Sequence, residues 1–429
     1  MNNQNQNEKK VLAIDLGSTS FKAAVYDLNL RELRFASRLL PHRYGTGNRV
    51  ELDLQSVNDC LRQALAEVEA DDPSIGAAAV TSQAQTFTLL DCDDRPIFPW
   101  ISWQDGGDQA IAEEVARKLP DFGEHCSFGR LNANLQISQL ARLKLETKQR
   151  VVPLPSYFLY LWSGRLVTDE NIAAMSGLYS IRHRKWWNEA LKVRGLNVEQ
   201  LPEIVPAGRV AGITNEAARE FHLPVGIPLI VAGNDQTAGG YGARLDENRD
   251  HLLTLGTALV VYGYSSQLPE VREGFARGPY PKGGFYQMIV NNRGGNVINW
   301  AKTVLAGCDS DDRFFAAAEN ADEDCGGVVF DCGLKSGDGA WRNLAPHHTP
   351  AEMARSVVDS LAEEAAGMLE NLQDGNEINR VLAAGGGRFR PLWMNTVARK
   401  AGVQVEPTPA TPLLGAARMA TEELARGIG

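Results

Sequence analysis

Apolar residues run almost unbroken from Val11 to Leu16, with Val11, Ala13 and Asp15 on one face and Leu12, Ile14 and Leu16 on the other. This predicts a buried strand. The same character continues to about residue 40, with DLNL supplying a turn, so a strand meander is expected there. Over 54–70 the period changes. Val57, Leu61, Ala64, Leu65 and Val68 recur at helical spacing and predict an amphipathic helix. Residues 75–83 read as a buried strand, and FTLLDCDDRPIFPWISWQD as a hairpin turning at Asp93-Asp94. The stretch from about 108 to 230 is expected to be mainly helical, with SYFLYLWSG and the Trp186-Trp187 pair read as core. Further strands are expected at 231–235 and 283–292, and a long helix over 349–372 with Thr349 as cap and Pro350 in its first turn. Residues 378–407 then give strand, glycine turn, helix and strand, and TPLLGAARMATEELA a closing helix.

Two segments share one shape. VLAIDLGSTSFKAAVYD reads as strand, tight turn and strand, with Asp15 ending the first strand and Gly17, Ser18 and Thr19 in the turn. HLLTLGTALVVYGYS repeats it, with Gly256 and Thr257 at the turn. Glycine lets a backbone approach phosphate closely and present its N–H groups. Lys22 can add a charge or face solvent from the returning strand. Just before the second copy, VAGNDQTAGGYGA delivers Asp235 into a glycine-rich stretch. A carboxylate there can take the proton of an attacking hydroxyl, or simply cap the helix that follows. Gly385, Gly386 and Gly387 follow an apolar strand and precede a helix, which suits close approach to a flat nucleoside, and Asn395 is a candidate contact on the adenine side. These are the parts of a small-molecule kinase, although a plain hairpin with a hydrogen-bonded Asp15 is the competing reading of the first copy alone.

The chain has 429 residues, more than one typical core, so two domains are expected. Its net charge of −10 argues against a nucleic-acid binder. The six cysteines form no CxxC pair and read as reduced thiols, and the seven histidines show no metal-binding spacing. His347-His348 reads as a solvated turn before a helix. No apolar run reaches the ~18 residues of a membrane span. MNNQNQNEKK lacks the apolar centre of a signal peptide, so residues 1–10 are expected as a disordered polar tail and the protein as cytoplasmic.

DLGSTSFK, GNDQTAGGYGA, LLTLGTA and AAGGGRFRPLWMNTVARKAG, in that order across almost the whole chain, resemble the motifs of the FGGY carbohydrate kinases. NRVELDLQSV, PIFPWISWQD and HHTPAEMARSVVDSLAEEAAGML are weaker matches to the same family, which includes xylulose- and glycerol-type kinases. The resemblance implies an α/β, two-lobed actin/hexokinase-like ATPase fold, with ribonuclease H-like lobes and an interlobe cleft. It implies a sugar-binding lobe over 11–243 and a nucleotide-binding lobe over 244–429. It also implies ATP and Mg²⁺, with Asp235 as general base and Asp15 holding the metal through water. Gly17, Ser18, Thr19, Lys22, Gly256, Thr257, Gly385, Gly386, Gly387 and Asn395 would contact ATP. The expected sugar contacts are Gln83, Gln85, Trp103, Asp105 and Asp235, with Trp103 open to a core role instead.

At the sugar site the pattern departs from the family. Ala84 and Gln85 stand where Met-His or Arg-Glu is usual, an Arg common near Gly107 is missing, and Gln139 and Arg142 replace the usual Lys and Trp. The expected activity is therefore phosphorylation of a free sugar or polyol, a ketose first, with the acceptor's identity left open. The small-molecule substrate is the expected partner, with no nucleic acid or membrane, and a homodimer is admitted. A catalytically weak sugar or nucleotide sensor is the alternative. A chaperone- or actin-like ATPase would need a peptide- or polymer-contact segment that the chain does not offer.

Overall fold

The computed structural model describes residues 9–248, 250–281, 283–332, 339–372, 378 and 380–427. Most of the expected polar tail therefore lies outside the described residues. Two compact units share the chain in interleaved segments: 1–242, 265–286 and 411–429 form the first, and 243–264 with 287–410 the second.

In the first unit the expected meander is present. Lys10–Leu16, Ser20–Asp27 and Glu32–Leu39 pair antiparallel in sequence, with Asp15 opposite Lys22. Ile75–Ser82 lies parallel to Lys10–Leu16, and Pro228–Asn234 lies parallel to Ile75–Ser82 on its other side. Val210–Ile213 closes that edge. Strands buried on both faces must be apolar throughout, which is why 11–16 and 75–80 carry nearly continuous Val, Leu, Ile and Ala. Helix Leu54–Glu67 covers one face through Val57, Leu61, Ala64 and Leu65, as its periodicity predicts, and Asp53 caps it by accepting from Ser56 N–H. The final helix, Pro412–Ala425, packs on Lys10–Leu16 and Ile75–Ser82 within this unit. The hairpin of 87–101 also forms, pairing Phe87 with Ile101.

The middle of the chain is less helical than expected. Helices at Gln109–Lys118, Leu154–Ser163 and Asn188–Arg194 alternate with short strands such as Arg150–Pro153, Val167–Asp169 and Glu203–Val205. Proline and left-handed glycine punctuate the apolar pattern: Gly164 (φ 74°) and Gly195 (φ 66°) each end a helix, and Pro153 precedes one. The aromatic clusters are core, as read. Tyr157, Phe158, Trp162, Trp186 and Trp187 are all buried.

In the second unit the sheet runs in the order Phe285–Asn291, Leu259–Ser265, His251–Leu255, Val381–Ala384, Val405–Pro407. Helix Pro350–Leu372 packs against Pro391–Ala401 and Asp311–Glu319. Its start is a reciprocal cap: Thr349 Oγ1 accepts from Ala351 N–H at 3.2 Å, while Glu352 Oε2 accepts from Thr349 N–H at 2.9 Å. Thr349→Ala is expected to cost about 1 kcal/mol, read as a lowered urea midpoint at constant slope.

Candidate active site

The first unit gathers Asp15, Lys22 and Asp235. Asp15 ends a fully buried strand, so its carboxylate is carried indoors by its neighbours. Lys22 sits opposite it and approaches Oδ2 at 3.2 Å. Asp15 Oδ1 is buried and takes no hydrogen bond. Burial raises the Asp15 pKa against the pull of the Lys22 charge. Gly17, Ser18 and Thr19 form the turn between the two strands, with Thr19 exposed. The turn is tight: a Cβ on Gly17 would lie 2.9 Å from Ser20 O. Gln83 braces it from the neighbouring strand, donating from Nε2 to Gly17 O at 3.4 Å while its Oε1 accepts from Thr86 Oγ1 at 3.1 Å.

Asp235 is the first residue of helix Asp235–Gly242, directly after strand Pro228–Asn234. It does not serve as the cap. Asn234 Oδ1 takes that role by accepting from Thr237 N–H at 2.8 Å. The Asp235 carboxylate accepts from the N–H of its own neighbour Gln236 at 2.8 Å. Burial, then the nearby Asp15 charge, pushes its pKa up to about 6 against the pull of Gln236 N–H and Lys22. Two carboxylates facing one lysine hold more negative charge than they can share, which is an arrangement suited to a cation and a transferable proton.

The expected sugar-site residues divide into two groups. Gln85 adopts a left-handed backbone (φ 68°), and its Oε1 is buried without a partner. Trp103 Nε1 is likewise buried and unpartnered, while its backbone N–H donates to Thr86 Oγ1 at 3.2 Å. Thr86 thus links Gln83 to Trp103. Asp105 is different, because its acceptor sites are occupied. Oδ1 accepts from Gly107 N–H, Gln139 Nε2 and Arg142 Nη1 at 2.9, 3.1 and 2.7 Å, and Oδ2 from Val50 N–H at 3.2 Å. Burial alone would raise its pKa, but these donors outweigh that and hold it below the usual range. Three of the positions that depart from the family pattern, Gly107, Gln139 and Arg142, therefore converge on one carboxylate. Gly107 has φ 63°, and a Cβ there would stand 2.1 Å from Ala133 O, so no side chain fits at that position.

A further group lies in the second unit. Gly256 and Thr257 turn between strands His251–Leu255 and Leu259–Ser265. Gly385 (φ 77°) would place a Cβ 2.6 Å from Leu255 O and 3.3 Å from Gly256 N, so the two glycine turns touch. Gly387 is packed under Leu255 and Trp393, whereas Gly386 opens to space. Asn395 is exposed on helix Pro391–Ala401. Sequence reasoning missed the seat of this turn. Gly295 N–H donates to Gly256 O at 2.7 Å, and a Cβ on Gly294 would meet the carbonyls of Gly256 and Thr257 at 2.9 Å. The signal was available: a glycine pair two residues after an apolar strand. Among the described residues no helix is long and apolar enough to cross a membrane.

The model of the FGGY N-terminal domain matches residues 10–242, and that of the C-terminal domain matches 252–422. The chain belongs to the FGGY family of carbohydrate kinases. It is an ATP-dependent sugar kinase, and its α/β two-domain architecture is that of the actin/hexokinase-like ATPases. It is 28% identical over 383 residues to the xylulose kinase of Klebsiella pneumoniae, covering 80% of this chain and 74% of that one. It is 24% identical over 453 residues to the glycerol kinase of Agrobacterium fabrum, covering 96% and 89%. The xylulose kinase structure from Rhodospirillum rubrum superposes with a TM-score of 0.85 at 22% identity, covering 98% of this kinase and 92% of that chain.

Proposed function

We propose that this kinase transfers the γ-phosphoryl group of ATP to a hydroxyl of a free sugar or polyol, a ketose first, with Asp235 as general base. The observation that carries the reading is the Asp235 carboxylate. It follows a strand end and accepts from the N–H of its own neighbour Gln236, beside Asp15 and Lys22. Such a group can accept a substrate hydroxyl and take its proton as attack proceeds. The first lobe, 11–243, would hold the acceptor through Gln83, Gln85 and Trp103, whose two unpartnered polar atoms suit a polyhydroxy ligand. Asp105 would shape that site through its contacts with Arg142 and Gln139. The second unit, 243–264 with 287–410, would hold the nucleotide on Gly385, Gly386 and Gly387 with Asn395 alongside. Gly17, Ser18, Thr19, Lys22, Gly256 and Thr257 would hold the phosphates.

Asp15 fits a magnesium ion, because its buried Oδ1 has no protein partner and a hard carboxylate oxygen suits a cation that keeps most of its water. When bound, Mg²⁺ would neutralise charge on the transferring phosphate. Asp15 would hold the ion through its water, Lys22 would limit the negative charge on Asp15, and Asp235 would hold the acceptor hydroxyl and remove its proton.

ADP release from Mg-ATP across ketoses, aldoses and polyols tests the proposal, with Asp235→Ala as control. An acceptor that raises turnover well above basal hydrolysis, with the rise lost in the variant, supports it. The sensor reading is favoured by the full engagement of Asp105, and it would show ATP binding with no stimulation by any acceptor. The base must be ionised, and a carboxyl with a pKa of about 6 is protonated below that pH. kcat/KM is therefore expected to fall as pH drops through about 6. A pH–rate profile that stays level down to the ordinary aspartate range, about 4, would contradict the assignment.

A further inference from the structure

The strand that delivers Asp235 is irregular just before it. Val231 faces Val80 on strand Ile75–Ser82, but Asn234 faces Ser82, so one extra residue is accommodated at Ala232-Gly233. A bulge of this kind frees backbone groups from the ladder and re-aims the residues that follow. Here side chains take up two of the backbone groups, Gly233 C=O and Asn234 N–H. Thr81 Oγ1 donates to Gly233 O at 2.9 Å. Asn234 N–H donates to Asn171 Oδ1 at 2.9 Å. Asn171 is completely buried, and its Nδ2 reaches Thr237 Oγ1 at 2.9 Å and Pro279 O at 3.1 Å.

Asn171 therefore grips both sides of Asp235: the amide immediately before it, and the hydroxyl of the residue two positions after it. Asp169 holds Asn171 in turn, since its Oδ1 accepts from the N–H groups of Asn171 and Ile172 at 2.8 and 3.0 Å. Gly233 (φ 71°) leaves just enough room, because a Cβ there would lie 3.3 Å from Asn171 Oδ1. The Asp235 side chain itself receives nothing from this set of contacts, and that leaves it available to substrate.

We propose that Asn171 is a positioning residue for Asp235. It would clamp the bulge and the first turn of helix Asp235–Gly242, so that the carboxylate stands where an acceptor hydroxyl can reach it. The proposal rests on the reading of Asp235 as the base. Proximity makes the expected effect large, since displacement of a reacting group by about 1 Å can cost about 10²-fold in rate. Asn171 touches no reacting atom, and its whole effect would pass through Asp235.

The test is a double-mutant cycle of Asn171→Ala and Asp235→Asn, with xylulose, glycerol and fuculose as acceptors, beside a crystal structure of Asn171→Ala. The expected results are a displaced Asp235 carboxylate, kcat about 10²-fold lower with KM for Mg-ATP unchanged, and no further loss when Asn171→Ala is added to Asp235→Asn. A purely structural role would give the same fractional loss in both backgrounds and would overturn the proposal. So would an unmoved carboxylate with wild-type kcat. If Asn171→Ala does not fold, Thr237→Val removes one acceptor of Asn171 while keeping the Asn234 cap. It should lower kcat in the same sense by a smaller factor, and wild-type kcat there overturns the clamp. Wild-type turnover in Asp235→Asn would instead refute the base reading, and the crystal structure would still decide the positioning.

Discussion

Asp235→Asn is expected to lower kcat by about 10²–10⁴-fold, the range that a positioned base contributes, while Mg-ATP affinity stays within a few-fold. The substitution keeps shape. An Asn side-chain oxygen can still accept from Gln236 N–H, and the helix keeps its cap because Asn234 supplies it. What goes is the charge. A carboxyl whose pKa is raised on folding disfavours the folded state at pH values above that pKa, and this cost vanishes below the unfolded value. The variant should thus melt at or above the wild-type temperature at neutral pH, with the difference closing as pH falls through about 6 toward about 4. Loss of activity together with retained or increased stability separates a catalytic role from a structural one. Steady-state kinetics and thermal unfolding on the same preparations measure both. Wild-type kcat in a folded variant would refute the assignment.

Gly415→Ala is expected to destabilise the protein by about 3 kcal/mol, the upper end for overpacking a tight contact, and to depress activity as well. A Cβ at 415 would fall 1.7 Å from Ala238 O, inside the helix that starts at Asp235, and Gly242 would place its own Cβ 3.0 Å from Gly415 N. Two helices cross here backbone to backbone, and neither can retreat locally. Helix Asp235–Gly242 is fixed by the Asn171 clamp, while Arg418 on the final helix donates to Tyr241 O at 2.7 Å. Relief requires the helices to separate and Asp235 to move. Urea unfolding should show a lower midpoint, and kcat should fall more than KM changes. A variant as stable and active as wild type would show that the close crossing is not needed.

The elements that sequence periodicity located best are those whose burial is uniform along their length. Residues 10–39 and 75–82 could scarcely be other than strands, because polar interruptions are missing where both faces are covered. Val57, Leu61, Ala64 and Leu65 marked one helix face for the same reason. The middle of the chain was harder, since short strands and helices with continuous apolar runs look alike, and Gly164 and Gly195 carried the information that the pattern did not. Asp15, the glycine turns and Asp235 stood out as candidates because phosphate chemistry calls for those residue types at strand ends. Asn171 did not, because its partners are 63 and 66 positions away. Nor did the engagement of Asp105 by Gln139 and Arg142, which depends on a meeting in space that spacing along the chain does not encode.

The final helix follows every other element in the order of synthesis, yet it covers the strand with which the described chain begins and the helix that Asp235 opens. A nascent chain emerging at about 5–20 residues per second could pair its first strands early. It would leave one face of their sheet bare until residues 412–425 cleared the ribosome. The half of the molecule made first is therefore completed last, so a kinase that stops short of Thr411 lacks the packing partner of the helix that Asp235 opens.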